Sequence, residues 1–278
     1  MSETLNIVGF DSAWSSRPDA AGGICVLKYS ERGLELNHSP EVAGFARASE
    51  IINDLDGENS KTIVMIDQPT VVPNQSGMRK VEKLVASVIS FIGGGVQPSN
   101  RNKEKMFGDD AAIWRFQSRH PFNLNPIELA KVSLIEVFPA LALCSMNSNF
   151  YGRYKAPKYN PKNRKKFKLE DWQAVCRTVL SWAGKLEIEG LSTVVENLSY
   201  LDKPTKDDQD KIDAIICALV GAIWVSGYGL KTYALGDTKS GLMVSPISDE
   251  VMARLKRSKH YSNVPIWMMK PRNRQNKF

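Results

Sequence analysis

Four carboxylates stand at the ends of apolar segments spread across the chain. Asp11 closes LNIVGFD, Asp67 closes TIVMID, Glu136 closes VSLIE, and Asp213 lies near the start of a long apolar stretch. One acid after one strand is ordinary turn chemistry, because an Asp there satisfies backbone N–H groups. Three strands that each end in an acid, joined by a fourth acid on a helix, predict a site for divalent cations. Hard cations take oxygen ligands, and two held together need several carboxylates to balance their charge. Asp207, Asp208, Asp210 and Asp213 crowd one helix start. Asp207 and Asp208 fit N-cap and helix-dipole roles. Asp213, between Ile212 and the apolar run from Ala214, fits them less well, and Asp210 three residues earlier shares its helical face. The expected metal ligands are therefore Asp11, Asp67, Glu136, Asp210 and Asp213, and the expected catalytic residues are Asp11, Asp67, Glu136 and Asp213. Glu136 either ligates a cation directly or orients a ligand from behind.

The cations are segregated. Residues 153–168 hold eight Lys and Arg and no acid, and residues 252–278 hold another eight and no acid. Of 37 basic residues these segments take sixteen, which leaves 21 against 30 acids in the rest of the chain. An acidic body with concentrated basic stripes is the footprint of a polyanion partner, here nucleic acid, either DNA or RNA; the bland alternative is a solvated face or loose tail. In the first stripe Tyr151, Tyr154, Tyr159 and Phe167 alternate with the cations. Cations hold phosphates and rings stack on bases, a combination suited to single strands. The expected substrate-binding residues are Lys155, Lys158 and Arg164, together with Arg79, which either binds a phosphate or pairs with Glu82 on its own helix. His38, His120 and His260 share no motif.

These residues need elements to carry them. Residues 5–11, 21–29 and 34–37 read as three strands of a meander, followed by a short amphipathic helix over 48–55. Residues 62–67 form a continuous apolar run, the pattern of a central parallel strand. Helices are expected over 78–92, stopped by Gly93-Gly94-Gly95, and over 108–119. A strand over 132–137 leads into a helix begun by Phe138-Pro139. Helices over 170–185, 191–200 and 208–225 and a small β element over 230–235 and 242–244 complete the order. Three strands, then βα, βα, then helices, predict a mixed α/β sheet covered on both faces. The parallel strands then open their C-terminal ends onto one crevice, where open α/β sheets bind ligands.

The 278 residues, 42% hydrophobic, suffice for a sizeable core. The longest apolar stretch, 212–225, is too short for a bilayer and contains Asp213, so no membrane association is expected. No secretory signal is visible, and Cys25, Cys144, Cys176 and Cys217 have no zinc spacing. A reducing, cytoplasmic location is the expectation.

Several segments resemble a known family. Gly9-Phe10-Asp11-Ser12-Ala13-Trp14 looks like the first strand of ribonuclease H-like nucleases. Ile66-Asp67-Gln68-Pro69, followed by Gly77-Met78-Arg79-Lys80-Val81-Glu82, resembles a family of predicted ribonuclease H-like nucleases with an Asp-x-Pro strand end. Ile135-Glu136-Val137-Phe138-Pro139 resembles its Glu-Val-His-Pro motif, with Phe138 where that family has His. Residues 155–164 resemble its Lys-rich loop, Asp210-Lys211-Ile212-Asp213-Ala214 its Asp-x-x-Asp-Ala helix start, and residues 236–246 its closing hairpin. The resemblance spans roughly residues 5–246. It implies a ribonuclease H-like domain over 1–246 with a five-stranded mixed sheet ordered 3-2-1-4-5. Beyond it, the charge distribution leaves a basic C-terminal tail over 247–278 that is expected to offer a surface for protein partners. The resemblance also implies two-metal phosphodiester hydrolysis with Mg²⁺ or Mn²⁺, Asp11 bridging both ions, in an arrangement most like that of Holliday-junction resolvases. The alternative is a catalytically silent nucleic-acid-binding subunit of a larger assembly. A phosphotransferase of the actin-like class ranks last, because Asp11-Ser12-Ala13-Trp14 lacks a glycine-rich phosphate hairpin.

Overall fold

Apolar alternation decides the central sheet. In the computed structural model, which describes residues 4–15 and 21–272, strands β1 (Thr4–Asp11), β2 (Gly22–Ser30), β3 (Gly33–Ala43), β4 (Ser60–Ile66) and β5 (Val132–Glu136) form one sheet in the order β3-β2-β1-β4-β5. β1 runs antiparallel to β2 and parallel to β4, which runs parallel to β5. This is the mixed 3-2-1-4-5 sheet expected. β3 extends well beyond the expected 34–37. It tolerates Pro40 because it is an edge strand, where a missing N–H costs no ladder bond, and its pairing with β2 shifts between Ile24 and Val26.

Successive residues of each strand feed two different cores. Leu5, Ile7, Ile63, Met65 and Ile135 join one core with α2 (Lys80–Ile89), α5 (Pro139–Met146), α6 (Leu169–Lys185), α7 (Leu191–Ser199) and α8 (Lys206–Ser226). Val8, Phe10, Val64, Ile66 and Leu134 join the other, under α1 (Phe45–Asp54) and α4 (Ala112–Arg119). The helix expected over 108–119 is split. The short α3 (Glu104–Phe107) stops at Gly108, where a Cβ would lie 2.6 Å from the carbonyl oxygen of Glu104, and α4 begins at Ala112.

Helix α8 is buried on all sides from Ile212 to Val225. A helix apolar all round belongs inside a protein, and this one lies between the sheet and α5 and α6. Its start is fixed by Thr205, whose hydroxyl accepts from the Asp208 amide while the Asp208 carboxylate accepts from the Thr205 amide at 2.8 Å.

The segment expected to be a tail is folded as far as it is described. β6 (Thr232–Asp237) pairs with β7 (Gly241–Pro246) on one side and with β8 (Ile266–Met268) on the other. Between them α9 (Asp249–Lys256) carries part of the basic stripe. Val251, Leu255, Val264 and Met269 are buried in the main core, so the expected boundary at residue 246 does not separate a tail from a domain. Residues 273–278 of that expected tail lie outside the described residues. No helix among the described residues is long and apolar enough to cross a membrane, and the four cysteines are free and buried.

Candidate functional site

The register of three strands determines which acids can meet. Ile66 stands opposite Phe10 on β1 and opposite Glu136 on β5. The Asp67 amide donates to the Phe10 carbonyl at 2.9 Å, and the Val137 amide donates to the Ile66 carbonyl at 2.9 Å. Asp67 is therefore level with Asp11 and with Val137, and Glu136 is one residue out of step. In a pleated sheet an offset of one exchanges faces. Alternation assigns Asp11 and Asp67 to the α8 side, with Ile7 and Met65, and Glu136 to the side of Leu134.

Two glycines bring α8 onto that side. A Cβ on Gly9 would stand 2.0 Å from the Ala214 carbonyl oxygen and 2.5 Å from the Ala218 amide. A Cβ on Gly23, the residue opposite Asp11, would stand 2.0 Å from the Asp210 carbonyl oxygen. Any side chain at either position would hold the helix away. With glycine at both, the first turns of α8 lie directly on β1 and β2 and carry Asp210 and Asp213 to Asp11.

The result is a crowded acidic corner. Asp11, Asp210 and Asp213 are buried and Asp67 is half-buried. Burial, followed by the charges of Asp213 and Asp67, holds the Asp11 carboxyl well above the usual range. Burial and then Asp213 and Glu136 raise Asp67 in the same way. Asp213 is pushed up to about 6, by burial first, against the opposing pull of its hydrogen bonds and of Lys206. Lys206 supplies positive charge here. Burial works against its ammonium, but the bond to Asp210 and the charges of Asp11 and Asp213 raise its pKa overall. Among the described residues no hydrogen bond reaches the carboxylates of Asp11 or Asp67.

Sequence reasoning missed three residues here. The Tyr159 hydroxyl donates to Asp213 Oδ1 at 2.7 Å, and Gln209 Nε2 donates to Asp213 Oδ2 at 2.8 Å. Lys206 and Gln209 each sit one helical turn before their aspartate, a spacing that was readable. Tyr159 crosses from the basic loop, 54 residues away in the chain, and no local pattern marks it out from Tyr154.

Glu136 is not placed to ligate a cation directly, nor Arg79 to bind a phosphate. Both oxygens of Glu136 are taken: Arg79 Nη1 donates to Oε2 at 2.8 Å, Arg79 Nη2 to Oε1 at 2.5 Å, and the Thr70 amide to Oε2 at 3.2 Å. Arg79 also donates to Glu82 Oε1 at 2.8 Å and to the Val71 carbonyl at 3.0 Å, with its side chain 0% exposed. This guanidinium has no open face for a phosphate, and Glu136 anchors an ion-pair network instead of offering a free oxygen to a cation. Arg79 does pair with Glu82, as one expectation held, and Glu136 completes the network.

The basic loop runs from residue 151 to 168 without regular structure, and Lys155 and Arg164 are exposed along it. Lys158 is partly committed. Its amide donates to Asp171 Oδ2 at 2.6 Å and its ammonium to the Gly93 carbonyl at 2.7 Å. The two basic segments meet in space: the Tyr151 hydroxyl donates to the Glu250 carbonyl of α9 at 3.0 Å, and the Arg254 guanidinium lies 4.2 Å from the centre of the Phe91 ring.

The donors gathered at this corner are carboxylate oxygens, the type that hard cations take. They repel one another, and among the described residues Gln209 Oε1, buried beside Asp213, has no hydrogen-bond partner. As they stand, however, no three His, Cys, Asp or Glu side chains among the described residues are grouped as a ready ligand set. The protein's own donors hold Asp213 and Asp210 instead.

The family model described as Protein of unknown function (DUF429) matches residues 9–236, and the chain belongs to that family. No curated protein and no solved structure gives a significant match.

Proposed function

We propose that this member of the family is a metal-dependent nuclease that hydrolyses phosphodiester bonds of nucleic acid at the corner formed by Asp11, Asp67, Asp210 and Asp213. The observation that carries the reading is a set of carboxylates at the C-terminal ends of adjacent strands β1 and β4 and on the first turns of α8, buried or half-buried, mutually repelling and short of positive charge. Proteins keep such repulsion where a cation or a reaction needs it. Among the described residues no hydrogen bond reaches the Asp11 or Asp67 carboxylate, so these two would be the first to hold divalent ions, with Asp213 and Gln209 Oε1 completing the set. Two Mg²⁺ or Mn²⁺ ions would supply a nucleophilic hydroxide at neutral pH and neutralise the leaving oxygen. Lys155 and Arg164, exposed on the loop whose Tyr159 reaches Asp213, would hold the phosphate backbone. Phe138 offers no proton-transfer group, so proton movement here depends on the aspartates and water. The test is cleavage of labelled DNA and RNA, single- and double-stranded, in Mg²⁺, in Mn²⁺ and in EDTA. Metal-dependent cleavage lost in Asp11→Asn supports the proposal, and equal cleavage by that variant refutes it.

A second reading has its own observation. Tyr159 and Gln209 saturate Asp213, Lys206 neutralises Asp210, and no ligand set is grouped. A protein so arranged serves as a catalytically silent nucleic-acid-binding subunit, with the basic loop and α9 as its docking surfaces. It binds nucleic acid in EDTA and cleaves nothing.

A further inference from the structure

A cleft of about 140 Å³ opens beside Asp67. Most of its open surface is apolar, from Trp14, Pro69, Val96, Val137, Phe138 and Met243, while Asp67 and the Arg79–Glu82–Glu136 ion-pair network form its polar side. We propose that this cleft is a subsite for one unstacked base of a single-stranded nucleic acid, with the Trp14 ring as the stacking surface. The proposal takes its ligand class from the reading above.

Size selects the occupant. A cavity of roughly 150 Å³ holds a single benzene ring, so this cleft is matched to one six-membered ring. A base paired inside a duplex cannot enter it, because its faces are covered by its neighbours and its edge by its partner. Apolar walls suit the faces of a base, whereas a phosphate would meet the Asp67 carboxylate and find the Arg79 guanidinium already committed to Glu82 and Glu136.

Trp14 is held for such a contact. Its backbone lies in the left-handed region, with φ at +49°. For a bulky residue this conformation costs on the order of 1–3 kcal/mol and persists where the surroundings enforce it, often at ligand sites. The surroundings here are specific: the indole N–H donates to the Asp67 carbonyl, and the ring meets Phe107 edge-on at 5.8 Å between centres. The indole is thereby tied to the same residue that carries a candidate metal ligand.

The cationic loop is tied to the turn that lines the cleft. Gly95 lines it. The same glycine turn is bonded to the loop, since the Tyr154 amide donates to the Phe91 carbonyl at 3.0 Å and Lys158 Nζ to the Gly93 carbonyl. Tyr154, at φ +62°, is 69% exposed, with the Arg153 guanidinium 5.3 Å from its ring centre and exposed Lys155 next in sequence. A ring in the cleft, a second ring on the loop and cations around that second ring are the components with which proteins hold single strands.

The experiment is an abasic scan on the full chain. Fluorescence anisotropy in EDTA measures binding of a short single-stranded oligonucleotide and of versions lacking one base each, with every phosphate kept. Loss of the base that occupies the cleft weakens binding by roughly 5- to 100-fold, the range of one base–aromatic stack, while most other positions change little. In Trp14→Leu the intact strand binds more weakly and the position-specific penalty disappears. Duplex binding is unchanged by that substitution. A flat scan, or a penalty that survives in Trp14→Leu, overturns the subsite. If Trp14→Leu fails to fold, the scan on the unaltered protein still decides. Cleavage in Mn²⁺ together with a flat scan removes the subsite and leaves the nuclease. A position-specific penalty without cleavage removes the nuclease and leaves the subsite, and absence of any binding overturns both.

Discussion

Arg79→Met separates a structural arginine from a phosphate-binding one. The guanidinium is 0% exposed and faces two carboxylates, Glu82 and Glu136, each 1% exposed. Methionine keeps most of the stem's volume but removes the charge and every donor. Two buried carboxylates then lose the cation between them, and only the Thr70, Ser99 and Arg79 amides still donate to them. Breaking a buried ion pair by removing one partner costs roughly 3–5 kcal/mol. At about 2–4 °C per kcal/mol for a domain of this size class, the melting temperature falls by roughly 6–20 °C. The loss is smaller at acid pH. Burial already raises Glu136 above its ordinary range, in spite of Arg79; without the arginine it rises further, so the stranded charge is more easily neutralised as pH falls. The double variant Arg79→Met with Glu136→Gln recovers part of the loss, because one stranded charge is removed with its partner. Thermal unfolding followed by circular dichroism at pH 5 and pH 8 makes the comparison. An Arg79→Met protein that melts with the wild type but binds nucleic acid weakly would refute the structural assignment and restore Arg79 as a phosphate ligand.

Asp213 titrates near 6 when folded and near 3.8 when unfolded, so its stabilising contribution is present below pH 4 and is lost as pH rises through about 6. Asp213→Asn should therefore match the wild type near pH 4 and exceed it at pH 8 in metal-free buffer, by on the order of 3 kcal/mol at the unit cost of a pKa shift; equal melting curves at pH 8 contradict the repulsion. Gly9→Ala forces a Cβ against the backbone of α8 and should lower stability by about 1–3 kcal/mol or more, whereas Gly184→Ala, with open space around it on a helix, should gain up to about 1 kcal/mol. Replacing Lys155, Arg164 and Lys165 with Gln should reduce the salt slope of nucleic-acid binding by about three units, roughly one per phosphate contact; parallel slopes mean a merely solvated loop.

The sheet was legible because its signal is local. Continuous apolar runs ending in Asp11 and Asp67 gave the parallel centre, and the apolar run from Ala214 marked the buried helix beside it. Glu136 looked equivalent to those two acids, since it also closes an apolar run. Only the register reveals that it falls one residue out of step, and register is a property of pairing between strands, not of one segment. The Arg79 expectation left both outcomes open for a related reason: spacing showed Glu82 within reach, but the burial that makes the pairing obligatory comes from distant residues. Tyr159 on Asp213 was invisible, because a loop contact over 54 residues leaves no periodicity. The basic tail misled through composition. Its cations dominate the count, while Val251, Leu255, Val264 and Met269, which tie it to the core, are sparse.

The central claim is that the acidic corner holds divalent cations for hydrolysis. Isothermal titration of the full chain with Mn²⁺, repeated on Asp11→Asn, tests it most directly, since calorimetry needs no knowledge of the substrate. The account predicts saturable Mn²⁺ binding by the wild type, displacement of the protons held by the raised Asp11, Asp67 and Asp213 carboxyls, and loss of that binding in Asp11→Asn. A wild type that gives no binding heat up to millimolar Mn²⁺, or an Asp11→Asn isotherm identical to it, contradicts the account.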